Sequence, residues 1–154
     1  MIQRIQTIYL LIAEILIGTL FFVPFAKIAA KEGGIYRFDI NGVISEGVQR
    51  PETLSNSLPL IILCAVSLTI VLITIFLYKN RMLQMRLCTI NIFVLLGLGS
   101  LIYYYVSESA KLLSGIYSFT IFLLFPLIAA ILIYLAIRAI KKDEMLVRSI
   151  DRIR

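Results

Sequence analysis

The chain contains no histidine and no tryptophan, and its 154 residues include two cysteines. Histidine-ligated haem, zinc–histidine centres, Ser-His-Asp triads and Cys-His dyads are thereby excluded. Charge is also scarce: 16% of residues are charged against 60% hydrophobic, and mean hydropathy is +0.97. An average soluble domain carries about 25% charged residues, so an ordinary water-soluble fold is excluded as well. A chain with so little catalytic equipment is expected to be non-enzymatic, with no cofactor and no metal.

What the chain has instead is four long apolar runs, at 7–25, 58–78, 87–106 and 113–137, of which the first is broken only by Glu14. Each holds 19 residues or more. At about 1.5 Å rise per residue such a run crosses a hydrocarbon core of about 30 Å as a helix. The runs lack the alternation of a barrel strand, and lipid cannot satisfy open backbone groups. The expected fold is an all-α integral membrane protein in one membrane domain. It consists of a four-transmembrane-helix bundle, an outer loop at 26–57 and a cytoplasmic amphipathic C-terminal helix at 138–154.

The basic residues set the orientation. With the N-terminus inside, ten of the fifteen fall on one side: Arg4, Lys79, Arg81, Arg86, Arg138, Lys141, Lys142, Arg148, Arg152 and Arg154. The other five are balanced by Glu32, Asp39, Glu46, Glu52 and Glu108. The positive-inside rule then puts both termini in the cytoplasm. The net charge of +6 is read as topology and attraction to anionic lipid, and no nucleic-acid partner is expected. The first run exceeds the usual signal-peptide core and carries Glu14, which favours an uncleaved first helix.

The outer loop carries a hairpin signal at 35–48, where Asn41-Gly42 separates two β-prone runs. A two-residue type I′ loop would place Ile40 opposite Val43, Phe38 opposite Ser45 and Arg37 opposite Glu46. A lone hairpin is marginal in water, so Tyr36, Phe38, Ile40 and Val43 are expected to turn toward the helix ends. The hairpin then acts as a lid, or as a docking surface for an outer partner. In the tail, Leu146, Ile150 and Ile153 share one face, and Glu144 and Arg148 have the spacing of a helical ion pair. Gln3, Arg4 and Gln6 at the start lie on the same side and could meet Asp143, Glu144 or Asp151 of the tail.

Glu14 is the one ionisable residue well inside a run, and a carboxyl there must be protonated, paired or hydrated. Asn91 and Thr89 of the third run are its expected neighbours, either as a structural hydrogen-bonding group or as a proton or cation site. Gly18, Gly97, Gly99, Ser100, Ala129 and Ala130 suggest close helix packing, within the bundle or between copies. Pro126 suggests a kink within the fourth helix. Cys64 and Cys88 are placed on the order of 20 Å apart in depth, as free thiols.

The opening MIQRIQTIYLL with LFFVPFA, and the closing KKDEMLVRSIDRIR, resemble a family of small four-span membrane proteins of Bacteroidota known as a domain of unknown function. The resemblance runs through Ile2, Gln3, Arg4, Ile5, Gln6, Asp143, Glu144, Leu146, Val147, Arg148, Asp151 and Arg152 and covers essentially the whole chain. It implies the bacterial inner membrane and no assigned activity. A weaker similarity is to small multidrug resistance transporters, through Ala13-Glu14 and Gly18-Thr19. The glycine is one residue late, the tryptophan is absent and the outer loop is foreign to that family. The leading expectation is a scaffold or regulatory subunit of a membrane assembly. Its contacts would be Gln3, Arg4, Gln6, Asp143, Glu144, Arg148, Asp151 and Arg152, to a membrane-protein partner or a second copy. The alternative is a proton-coupled small-molecule exporter, dimeric around Glu14.

Overall fold

The computed structural model describes residues 3–30, 34–45, 57–77 and 80–151, and of residues 3, 4 and 146–151 it describes the helical backbone alone. The long helices are α1 (Gln3–Thr19), α2 (Leu58–Phe76), α3 (Arg81–Leu112) and α4 (Phe125–Asp151). Among the described residues, three stretches, Leu58–Phe76, Arg81–Leu112 and Ile121–Met145, are long and apolar enough to cross a membrane, whereas the apolar part of α1, Ile5–Thr19, is shorter.

Each helix buries residues alternately three and four apart. In α1 these are Gln6, Leu10, Ala13 and Ile17, continued by Leu20 just past its end; in α2 they are Leu60, Cys64, Ser67, Val71 and Thr74. In α3 the series continues through Gln84, Cys88, Asn91, Leu95 and Leu98, and in α4 through Ala129, Ile133, Ala136 and Ile140. A mean step of 3.5 residues is the seam of a gently supercoiled bundle. The helices accordingly pack in a ring, α1 against α2 and α4, and α3 against α2 and α4. Three cross-helix contacts fix the heights. Cys64 Sγ donates to the Ile17 carbonyl at 3.7 Å, Gln84 Nε2 donates to the Thr74 carbonyl at 3.2 Å, and Arg81 pairs with Asp143 at 3.3 Å.

One end of the ring is covered by a four-stranded antiparallel sheet, larger than the expected hairpin. Its strands are β1 (Ala26–Ala29), β2 (Ile35–Asp39), β3 (Gly42–Ser45) and β4 (Ile116–Phe119), in the order β3-β2-β1-β4. β1 follows directly on the first apolar run and β4 lies at the start of the fourth, and neither run is helical throughout. α1 stops at Thr19, five residues before Pro24, and α4 begins at Phe125. Pro126 therefore stands in the first turn of α4, where its missing N–H costs no hydrogen bond, and it does not kink the helix.

The hairpin register also differs from the expected one. Phe38 faces Val43, Tyr36 faces Ser45 and Arg37 faces Ile44. Gly42 takes positive φ (119°) and Asn41 does not, so the corner moves back to Ile40-Asn41, with glycine closing the turn. Arg37 then pairs with Asp39 at 3.1 Å on its own strand; Glu46 lies outside the described residues. The shift keeps the facing intact. Phe38, Ile40 and Val43 are fully buried in the same core as Leu20 and Leu60, and Tyr36 packs against it. At the β4 edge Phe119 stacks on Tyr103 of α3, with ring centroids 5.8 Å apart. Repulsion from the Tyr103 phenol, with the hydrogen bond between the two, raises the pKa of Tyr117.

α3 ends in a Schellman turn. The Gly115 amide donates to Ala110, the Ser114 amide donates to Lys111, and Ser114 carries φ 45°. Gly115 passes directly over the backbone of Ala29, which allows β4 to reach β1.

Candidate functional site

Two regions combine chemistry with a defined place in the fold. The first is inside the ring. Going from the end opposite the sheet, the first buried layer is polar: Gln6 of α1, Thr74 of α2 and Gln84 of α3. Gln84 is held by the Thr74 carbonyl, the Thr74 hydroxyl donates to Ile70, and Gln6 Nε2 has no hydrogen-bond partner. A turn further in, Leu10, Val71 and Cys88 are apolar and buried. Beyond them stand Glu14, Ser67 and Asn91. Asn91 is 1% exposed and Ser67 0%. Glu14 Oε2, Ser67 Oγ and both amide atoms of Asn91 are buried without a hydrogen-bond partner.

Glu14 and Asn91 were expected together: Asn91 is inside the ring, and Glu14, half-buried beside the core residue Ala13, has one carboxyl oxygen, Oε2, buried. Thr89 does not join them. It faces outward and spends its hydroxyl on the Met85 carbonyl at 2.9 Å, because it stands two residues before Asn91 and so about 200° round the helix. Ser67, Thr74 and Gln84 escaped sequence reading, although their seven-residue steps, 67 to 74 and 84 to 91, already mark them as core positions of a 3.5-residue repeat. The cysteines sit closer in depth than expected. With 74 beside 84, Cys88 stands level with Val71, two turns or about 10 Å from Cys64. Both are buried free thiols, and this spacing still forbids a disulfide.

Within the chain, four of the six expected small-residue positions make no close helix contact. Gly97 and Ser100 face outward, and Ser100 donates to Leu96 of its own helix. A side chain added at Gly18, Gly97 or Gly99 would meet nothing within 4 Å. Ala129 and Ala130 are buried as expected.

The second region lies at the end opposite the sheet, where α3 and α4 flank a groove of about 440 Å³. It is lined by Met82, Met85, Ile137, Lys141, Glu144 and Met145. It continues along α3 into a depression of about 420 Å³ bordered by Arg86, Ile90 and Phe93. The Arg81–Asp143 pair, with side chains 27% and 13% exposed, ties the two walls together. Methionine is unbranched and polarisable, so a methionine-lined groove adapts to an apolar partner surface. Met82 and Met85, three apart on one helical face, were the available signal in the sequence.

Among the expected contact residues, Asp143 is committed to Arg81 and Glu144 lines the groove. Gln6 is 6% exposed inside the ring, a correction that follows from its place in the 3.5-residue series. Arg152 and the side chains of Gln3, Arg4, Arg148 and Asp151 lie outside the described residues. No curated protein matches the chain. A family model does match, over residues 2–153, and its description is a domain of unknown function, DUF4293; the chain belongs to that family.

Proposed function

We propose that this is a non-enzymatic, four-span protein of the bacterial inner membrane that serves as a subunit of a membrane assembly, both termini being cytoplasmic. α1 is the fourth crossing in this reading. It is short for a span, but it packs along α2 and α4 and shares their heights. The basic residues Arg81, Arg86, Arg138, Lys141 and Lys142 belong to the end opposite the sheet, in keeping with that end facing the cytoplasm.

The observation that carries the assembly reading is the methionine groove. α3 has 32 residues and α4 27, so at about 1.5 Å per residue each exceeds a hydrocarbon thickness of about 30 Å. The groove between their protruding ends offers an apolar floor with Lys141 and Glu144 at its margin. Such a surface suits an amphipathic helix from a partner's cytoplasmic portion. The exporter reading would need a second copy around Glu14; the docking reading uses surface already present in one chain.

A photo-crosslinking residue at Met145, in native membranes, is expected to capture one distinct membrane protein. The adduct is expected to disappear when Met85→Asp puts a charge on the groove floor. Adducts only with lipid or with the chain itself would remove the proposal.

A further inference from the structure

Glu14, Ser67 and Asn91 come from three helices yet stand at one height. The contact of Cys64 with the Ile17 carbonyl sets α1 and α2 in antiparallel register, which puts Glu14 level with Ser67. The bond from Gln84 to Thr74 does the same for α2 and α3, and two turns further along each helix Ser67 meets the level of Asn91. The Arg81–Asp143 pair brings Ile133 of α4, fully buried, to this height on the remaining side.

Four polar atoms are stranded in this layer: Glu14 Oε2, Ser67 Oγ, Asn91 Nδ2 and Asn91 Oδ1. Buried polar groups are satisfied by protein or by ordered water, and polar cavities hold water where apolar ones stay dry. We propose that Glu14, Ser67 and Asn91 form one internal site that holds ordered water, bridging the carboxyl of α1, the hydroxyl of α2 and the amide of α3. Water fits this set better than a metal cation. Asn91 Nδ2 needs an acceptor and Asn91 Oδ1 needs a donor, and one kind of molecule supplies both. A cation would serve the oxygens and leave the amide hydrogens stranded.

The arrangement also gives the water a direction of exchange. Toward the sheet the next layers are Ile17, Cys64 and Leu95, then Leu20, Leu60 and Leu98, all buried. Toward the other end a single apolar layer, Leu10, Val71 and Cys88, separates the site from the Gln6, Thr74 and Gln84 layer about 10 Å away, where Gln6 Nε2 is likewise unpartnered. With one apolar layer on that side against at least two toward the sheet, the shorter barrier to exchange faces the end that carries the methionine groove. This inference stands independently of what docks in that groove.

The test is water-edited solid-state NMR on the full chain in lipid bilayers, with asparagine nitrogens labelled. The Asn91 side-chain amide is expected to receive magnetisation from water. Glu14→Leu is expected to reduce that transfer severalfold, Glu14→Gln to retain it, and Ser67→Ala to lower it partly. Unchanged Asn41 and Asn80 signals confirm that each variant is folded. An Asn91 amide that stays dark while that of Asn41 is bright would overturn the site, as would transfer unaffected by Glu14→Leu.

Discussion

Phe38→Ala is expected to destabilise the folded protein by about 3–5 kcal/mol, the range for removing a large aromatic side chain from a packed core. Phe38 is fully buried, its ring centroid lies 6.4 Å from that of Phe25, and its carbonyl accepts the Phe25 amide at 2.8 Å. It also sits opposite Ala26 on one side and Val43 on the other. One side chain thus joins both strand pairs to the helix ends, and its loss leaves a cavity where sheet and ring meet. Thermal unfolding in lipid nanodiscs, followed by the reactivity of the buried Cys64 and Cys88 thiols, measures this directly. A loss below about 1 kcal/mol, well short of the core range, would mean that the sheet does not pack on the ring.

Gly115→Ala has the next largest expected effect, about 1–3 kcal/mol, as for overpacking a site that cannot yield. A methyl carbon there would lie 2.5 Å from the Ala29 carbonyl oxygen, 3.1 Å from its carbon and 3.2 Å from Ala30 Cα. All three are backbone atoms, so no side chain can rotate away. The preceding residue, Ser114, already holds φ 45° to close the helix, and the chain has little freedom left to move β4 aside. The loss should appear as faster amide exchange in β1 and β4, where Ile28 faces Tyr117, with the α2–α3 seam unaffected. Unchanged exchange in those strands would contradict the close approach.

The helices were legible because their cores follow composition: long apolar runs report burial in lipid or protein whatever the partner. The sheet was only half legible. The hairpin announced itself through Asn41-Gly42, but β1 and β4 are four residues each, β1 at the margin of one apolar run and β4 inside another, where periodicity cannot separate strand from helix. Ser114-Gly115 was the overlooked signal, since a turn at that point ends one element and begins another. The hairpin register failed for a local reason, the choice between positive φ at two residues or at glycine alone. In the site, Glu14 stood out as a charge in an apolar run. Ser67 and Gln84 did not, because a small or amide side chain acquires meaning only from the height of its neighbours on other helices.

The central claim, that all four helices cross the membrane with the sheet outside and the methionine groove in the cytoplasm, is tested most directly by side-specific thiol labelling. Gln3→Cys, Lys27→Cys and Lys142→Cys would be made singly in a chain carrying Cys64→Ala and Cys88→Ala. They would be exposed to a membrane-impermeant maleimide in intact spheroplasts and then in opened membranes. Lys27 is exposed on β1 and Lys142 on α4. The account predicts that position 27 labels in intact spheroplasts, and that positions 3 and 142 label only after the membrane is opened. Labelling of 3 and 27 from the same side would show that α1 does not cross, and labelling of 142 in intact cells would place the groove on the wrong side of the membrane.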